Sequence, residues 1–252
     1  MGSDPDFMQS LARGLDVLAA FSTLEPPHTI TQIARQTGLS RPVVRRCLHT
    51  LVARGYVEES GHRYEVLPRV LMLSRAYLAE RSLPVLAQPV LEDLRDALKE
   101  SCSLGVLDGE DVLYVARASA ERIINIALHV GSRLPAYCTS MGRVLLAALS
   151  AQQRADILAR TALVRRTPRT IVEPERLERE IERVAQQGFS LVEQELELGL
   201  RSIAVPVHNR SGRVVAALNI GANSARIESR DMQARILPHL VSAAVKIGGL
   251  AR

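Results

Sequence analysis

The clearest pattern of hydrophobic and polar positions lies in residues 29–54, where two short amphipathic segments flank a turn of Gly38, Leu39 and Ser40. The second segment repeats apolar residues at helical spacing, which predicts one buried stripe made of Val44, Cys47, Leu48 and Leu51. Its opposite side carries Pro42, Arg45, Arg46 and His49. Two helices at such a turn, with a cationic face on the second, are typical of a helix-turn-helix that binds a DNA groove.

The ends of both segments fit this prediction. Ser40 lies where the first helical N–H groups need a capping hydroxyl, and Pro42 falls in the first turn, where its missing N–H is harmless. Gly38 follows the first segment, as expected just after a helix end. The same residues would also suit an ordinary surface pair of helices with solvated arginines, and the pattern of this pair alone leaves both interpretations open.

A β-hairpin is predicted directly after the second segment, from β-prone runs at 56–59 and 63–67 around Ser60 and Gly61. The interval between Glu25 and Glu58 holds no acidic residue. Together these features predict a winged helix-turn-helix whose hairpin tip reaches a phosphate or the minor groove. The expected DNA-binding residues are Thr31, Ser40, Arg41, Pro42, Arg45, Arg46, His49, His62 and Arg63.

A linker helix is predicted next, at 68–83. Its apolar residues are too many for one narrow stripe along a helix, so the helix could pack against another chain or dock on its own domain. These residues are Val70, Leu71, Leu73, Tyr77 and Leu78. We therefore divide the chain into a winged helix-turn-helix domain at 8–67, the linker helix at 68–83 and a second domain at 84–252. Residues 1–7 are expected to be an expression-tag remnant.

The second domain alternates strand and helix patterns. Hairpins are predicted at the turns 108–110 and 209–212, and an alternating apolar run occupies 123–130. Helices are predicted at 140–149, at 174–187 with Leu177, Ile181 and Val184 inside, and at 229–250 with a kink at Pro238. Hairpins with flanking helices predict an α+β domain with a mostly antiparallel sheet.

Composition adds limited information. The chain has 252 residues, 47% of them hydrophobic, which is enough for two globular domains. The net charge of +5 permits nucleic-acid binding without proving it, because arginine is spread along the whole chain. No apolar run reaches the roughly 18 residues of a membrane span, and no signal-peptide core is visible, so a cytoplasmic protein without membrane contact is expected.

Candidate catalytic chemistry is sparse. The three cysteines, Cys47, Cys102 and Cys138, have neither disulfide nor metal-ligand spacing, and no metal, cofactor or enzymatic activity is expected. The loop 131–143 is a candidate anion-binding site, since both Arg133 and the helix N-terminus at Ser140 could bind an anion. Thr139 and Ser140 could equally serve only as helix caps.

Several motifs together identify a family. The winged helix-turn-helix, the linker helix, GSRLPAYCTSMGRVLLA at 131–147 and GFSLVEQELELGLRSIAVPVHNRSGRVVAALNIGA at 188–222 resemble the isocitrate lyase regulator (IclR) family of bacterial transcription factors. More narrowly, the chain resembles the branch of PcaR, PcaU and PobR proteins. That resemblance implies control of the degradation of aromatic acids such as protocatechuate and 4-hydroxybenzoate through the β-ketoadipate pathway.

The resemblance also implies a GAF-like effector domain with a pocket on one face of its sheet. The family positions that would line this pocket are Ile123, Ile126, Leu134, Ser140, Met141, Ser202, Asn219 and Gly221. Val192 departs from members with an acidic residue there, which suits a larger, flatter ligand. A benzoate-like effector needs a cation for its carboxylate, apolar walls for its ring and polar partners for its hydroxyl groups. Arg133 or Arg201 could supply the cation. Tyr137 could form part of a wall, and Thr139 or His129 could bind a hydroxyl group.

Family members act as dimers or dimers of dimers, which implies a homodimer or tetramer on a pseudopalindromic operator. We therefore expect a ligand-responsive regulator of an aromatic-acid degradation operon, with RNA polymerase as a further partner if it activates. Two alternatives are an IclR-type regulator that senses a non-aromatic small acid and could act as a repressor, and a thiol redox sensor that uses Cys102 and Cys138.

Overall fold

The computed structural model describes residues 6–24, 26–74, 83–120 and 128–250. The chain divides into two compact units, residues 1–80 and residues 81–252. In the described part of the chain, no helix combines the length and the apolar character needed to cross a membrane.

The first unit is a winged helix-turn-helix. It comprises α1 (Gln9–Ala20), α2 (Ile30–Thr37), α3 (Arg41–Ala53) and the antiparallel hairpin of β1 (Val57–Ser60) and β2 (Arg63–Val66). One hydrophobic core joins these elements, with Val17, Ile33, Val44 and Leu48 completely buried. The predicted apolar stripe of α3 is therefore confirmed, although Cys47 and Leu51 lie at its edge and are half-buried.

The helix ends differ in one detail from the prediction. Thr29 and Gln32 form a reciprocal capping box at the start of α2, and Gly38 ends that helix in the left-handed region at φ +69°. Ser40 occupies the N-cap position of α3, but its hydroxyl makes no capping hydrogen bond, so the predicted hydroxyl cap is wrong. Pro42 in the first turn is confirmed.

Only part of the predicted linker helix can be described. Pro68–Val70 forms a 3₁₀ turn, and residues 71–74 are helical. Residues 75–82, which include Tyr77 and Leu78, lie outside the described residues.

The second unit contains a six-stranded antiparallel sheet in the order β5-β4-β3-β8-β7-β6. Both predicted hairpins are confirmed. The strands are β3 (Ser101–Asp108), β4 (Asp111–Ala118), β5 (Arg133–Pro135), β6 (Ser190–Glu193), β7 (Leu200–His208) and β8 (Val214–Asn223).

Helices cover both faces of this sheet. On one face α4 (Leu83–Leu98) and α9 (Leu237–Leu250) enclose a large apolar core. On the other face α5 (Ser140–Ala147) and α7 (Pro174–Gln187) pack over a second core, which includes the predicted inner residues of α7, Leu177, Ile181 and Val184. The short α6 (Ala151–Arg160) joins α5 to the segment before α7. The predicted α+β class with an antiparallel sheet is confirmed.

The last helix and the run before β5 each differ in detail from the prediction. Residues 229–250 are helical throughout, as predicted, and the irregularity is a π-helix at Met232–Ile236 between α8 (Ser229–Asp231) and α9, not a simple kink at Pro238. Pro238 lacks the N–H of a regular helical turn, and the widened turns fall directly before it. The alternating run at 123–130 lies mostly outside the described residues, and residues 128–130 do not form a strand.

Candidate DNA-binding surface and effector cavity

The outer face of α3 is a cationic surface. The two residues that anchor the helix, Val44 and Leu48, are completely buried, which directs the opposite side to solvent. That exposed side carries Arg41, Pro42, Arg45, Arg46 and His49. In the neighbouring α2 and the turn, Thr31 and Ser40 are exposed as well.

The hairpin presents positive charge only at its tip. Gly61, at φ +65°, and His62 form the turn, and Arg63 pairs with Ser60 at the first position of β2. His62 and Arg63 are exposed, whereas Glu58 and Glu65 lie directly opposite each other along the strands. Carboxylates repel phosphates, so this wing can approach DNA through its tip but not along its strands.

The second candidate site lies on the α5 side of the central sheet. Residues paired across neighbouring strands lie on one face, and two such rows consist mainly of small or polar residues. The first row is Arg117, Ser103, Asn219, Ala204 and Ser190, and the second is Ser101, Gly221, Ser202 and Val192. Because most of these side chains are short, they leave space between the sheet and α5.

That space is a partly enclosed cavity. Six predicted effector residues line it, namely Leu134, Thr139, Ser140, Ser202, Asn219 and Gly221. Sequence reasoning did not select eight further lining residues, which are Ser101, Tyr114, Arg117, Leu128, Cys138, Glu195, Leu196 and Leu200, and Val192 also lines the cavity. The lining combines an apolar wall of leucines and valine with a few hydroxyl, amide and charged groups.

The other predicted effector residues lie elsewhere. Arg133 is on β5, where its guanidinium pairs with Asp108 and Asp111. Tyr137 is buried, with its hydroxyl donating to the carbonyl oxygen of Val164 at 2.6 Å.

Arg201 and Met141 are likewise engaged outside the cavity lining. Arg201 is buried against Glu193, with 2.8 Å between the guanidinium and the carboxylate, and it also donates to the carbonyl oxygen of Ile227. Met141 is in the second core, where its sulfur lies close to Gly105. Neither arginine proposed from the sequence is therefore available to a ligand in the cavity, and Ile123 and Ile126 lie outside the described residues.

Arg117 is the cation that lines the cavity among the described residues. It donates from Nη1 to the Ser103 hydroxyl at 2.8 Å and from Nε to the Ser119 hydroxyl at 3.1 Å. Burial lowers the pKa of this guanidinium, because desolvation disfavours the charged form and the described residues supply no carboxylate partner. Arginine stays protonated at neutral pH despite such a shift, so the site carries a positive charge.

Two buried polar atoms of the lining have no hydrogen-bond partner in the described structure. They are the hydroxyl oxygen of Ser140, at the start of α5, and the amide oxygen Oδ1 of Asn219. Thr139 instead caps α5, accepting a hydrogen bond from the backbone N–H of Gly142 at 3.2 Å. Buried polar groups normally find partners, and Ser140 and Asn219 are therefore free to bind a ligand or water.

A buried ion pair holds the wall opposite the sheet. Arg143 of α5 donates to Glu195 at 2.7 Å, and both side chains are almost fully buried. Arg143 also donates to the carbonyl oxygen of Tyr137, and Glu195 accepts from the backbone N–H of Ile171. Although Glu195 lines the cavity, its charge is balanced by Arg143, so it does not oppose an anionic ligand.

The cysteines are poorly placed for redox sensing. Burial raises the pKa of both Cys102 and Cys138 to about 11, which leaves each as an unreactive thiol at neutral pH. Cys102 belongs to the core beneath α4 and α9, and Cys138 belongs to the core beneath α5, on the other side of the sheet. They therefore cannot form a disulfide with each other in this fold.

Known proteins resemble the chain over nearly its whole length. The model of the IclR helix-turn-helix domain matches residues 10–61, and that of the C-terminal domain of the bacterial transcriptional regulator IclR matches residues 75–248. The Pca regulon regulatory protein of Pseudomonas putida is 48% identical over 241 residues, which cover 95% of this chain and 83% of that protein. The p-hydroxybenzoate hydroxylase transcriptional activator of Acinetobacter baylyi is 35% identical, with coverages of 97% and 92%.

A solved structure agrees with these relatives. The crystal structure of an IclR homolog from Microbacterium hydrocarbonoxydans, complexed with 4-hydroxybenzoate, superposes with a TM-score of 0.78 at 26% identity. It covers 95% of this chain and 97% of that one. The resemblance to the PcaR, PcaU and PobR branch is thereby confirmed, and so is the prediction of a regulator rather than an enzyme. With both of its domains matched, the chain belongs to the IclR family of bacterial transcriptional regulators.

Proposed function

We propose that the protein regulates an operon for the degradation of aromatic acids, and that a small aromatic carboxylate such as protocatechuate or 4-hydroxybenzoate is its effector. The observation that carries this proposal is the cavity on the small-residue face of the sheet, where apolar walls surround one unpaired arginine. A planar ring fits between apolar walls, and a carboxylate matches an arginine. The names of the relatives from Pseudomonas putida and Acinetobacter baylyi point to the same class of regulon.

The effector is tested by titrating the protein with protocatechuate, 4-hydroxybenzoate and succinate while following its melting temperature. A ligand that binds only the folded state stabilises it, by about 2.7 kcal/mol at a hundredfold excess over the dissociation constant. We expect at least one aromatic acid to raise the melting temperature and succinate to leave it unchanged. A shift with succinate alone would favour a regulator that senses a non-aromatic acid.

Operator binding is assigned to α3 and the tip of the wing. Arg45 and Arg46 stand on the exposed side of α3, next to Arg41 and His49, at the place where a recognition helix meets base edges. A bidentate contact from an arginine to a guanine contributes about 1–3 kcal/mol of discrimination, whereas a phosphate contact lacks sequence preference.

Alanine substitution tests this assignment. Arg45→Ala or Arg46→Ala should weaken operator binding by about 1–3 kcal/mol if the residue reads a guanine, and should flatten the salt dependence if it contacts a phosphate. Arg179→Ala, which removes the same charge from an exposed position on α7, is the matched control and should bind as the wild type does. Unchanged affinity and salt dependence in both α3 variants would reject α3 as the recognition helix.

We further propose a homodimer, or a dimer of such dimers, on a pseudopalindromic operator with half-sites one helical turn apart, about 34 Å. The support is an excess of exposed apolar side chains in the first unit, on α1 and after the wing: Leu11, Leu15, Leu71, Met72 and Leu73. We expect this regulator to work in the cytoplasm, where bacterial DNA is transcribed, and to contact RNA polymerase if it activates transcription. Sedimentation of the full chain tests the oligomeric state.

A further inference from the structure

We infer that Arg117 binds the carboxylate of the effector, and that a β-bulge in β4 is what brings this residue to the cavity. The inference rests on the proposed function, because it assumes a carboxylate ligand. Arg117 thereby takes the place of Arg133 and Arg201, the residues that the sequence suggested for binding the carboxylate.

The bulge follows from the register of β3 and β4. Leu104 pairs with Ala116, but the next residue of β3, Gly105, pairs with Tyr114, so Val115 is the extra residue. Simple alternation would place Arg117 on the face opposite Tyr114. Because of the bulge, Tyr114 and Arg117 both line the cavity, while Val115 and Ala116 both pack in the core beneath α4 and α9.

Arg117 is the one arginine that lines the cavity in the described part of the chain. Arg143, Arg133 and Arg201 each contact a carboxylate of the protein. Among the residues that the structure describes, no carboxylate lies within ion-pair distance of Arg117, although its side chain is partly withdrawn from water. A partly buried cation without a counter-charge is unfavourable until an anion arrives, and an anionic ligand supplies that counter-charge.

The guanidinium is also oriented for this role. Of its five N–H donors, one on Nε and one on Nη1 are engaged by the hydroxyls of Ser119 and Ser103. These two serines fix the plane of the group from β3 and from the end of β4. Nη2 has no partner in the described structure, so the Nη1–Nη2 edge can donate two parallel hydrogen bonds to a carboxylate.

The test compares 4-hydroxybenzoate with its neutral analogue 4-hydroxybenzamide, measured by calorimetric titration of the full chain. The wild type should prefer the acid. Arg117→Gln should lose about 10- to 100-fold in affinity for the acid, the usual range for a hydrogen bond to a charged group, and should bind the amide as the wild type does. Arg133→Gln, which removes an exposed arginine already paired with two carboxylates, is the control and should keep the preference.

The outcomes separate this inference from the proposed function. If the wild type binds neither compound nor any other aromatic acid, the proposed effector class is rejected, and the inference with it. If the wild type binds both equally, or if Arg117→Gln keeps the preference for the acid, another group holds the carboxylate and only the inference is rejected. Should Arg117→Gln not fold, Arg117→Lys retains the charge without the fork, and we expect it to bind the acid more weakly while still preferring it to the amide.

Discussion

The two faces of the central sheet come from the same strands and have opposite characters. On the face beneath α4 and α9, consecutive inward positions are large and apolar, including Leu104, Leu218 and Ile220. On the face beneath α5, the alternate residues Ser103, Asn219 and Gly221 are small or polar. One face is therefore filled by apolar side chains, and the other leaves the space that we propose for a ligand.

The cavity face compensates with polar connections. The Arg143–Glu195 ion pair joins α5 to the loop after β6, and Glu195 also accepts from the backbone of Ile171. A network of this kind holds a wall in place without filling the space beside it. We therefore expect the two faces to respond to different substitutions.

The largest effect is expected on the cavity side, from Arg143→Met. This change leaves the buried carboxylate of Glu195 without its counter-charge, which destabilises the fold by about 3–5 kcal/mol. Urea denaturation gives the free energy of unfolding. The double variant Arg143→Met with Glu195→Gln removes the charge but keeps an acceptor for Ile171, so it should recover part of the loss. A double variant as unstable as the single one would mean that the unpaired charge is not the cause.

A nearly equal effect is expected on the opposite face, from Leu218→Ala. Leu218 is completely buried, and its truncation should cost about 2–5 kcal/mol through lost transfer free energy and a new cavity. Ser202→Ala on the cavity face is the matched comparison and should change stability by less than about 1 kcal/mol. Urea denaturation gives the free energy of unfolding of both variants. Equal losses in Leu218→Ala and Ser202→Ala would contradict the idea that only the face beneath α4 and α9 is tightly packed.

The smallest effects are expected from two glycines on the cavity face. A Cβ at Gly105 would lie 2.6 Å from Cγ1 of Val112, so Gly105→Ala should cost about 1–3 kcal/mol through overpacking. A Cβ at Gly221 would meet nothing closer than Cδ1 of Leu200 at 3.7 Å. Gly221→Ala should therefore leave stability close to that of the wild type. Melting temperatures without ligand would show the difference, and a destabilised Gly221→Ala would mean that the cavity is already filled at this point.

Sequence patterns were sufficient for the elements whose signals are local. The apolar stripe through Val44 and Leu48, the glycine at position 38 and the turns of the three hairpins all act over a few residues, so spacing alone predicted them. The loop into α5 was also found this way, and its Thr139 and Ser140 do line the cavity.

The charged residues of the site could not be chosen in the same way. Arg133 and Arg201 looked suitable, but each is engaged by an acidic residue that only folding brings near: Asp108 and Asp111 for the first, and Glu193 for the second. Arg117 could not be selected because the bulge at Val115 moves its side chain to the other face of the sheet. The sequence pattern of β4 shows neither that a bulge exists nor where it lies.

The extra residue at Val115 also governs how the protein can be re-engineered as a sensor. A library that randomises every second position of β4 from Val112 would alter the binding space at Tyr114 and then, past the bulge, would damage the core at Ala116 and Ala118. A designer who wants new ligand specificity should vary positions 114 and 117 together and leave 115 and 116 untouched. Deleting Val115 itself would remove the bulge but keep Leu104 paired with Ala116 and Gly105 paired with Tyr114, so Arg117 would remain on the cavity side.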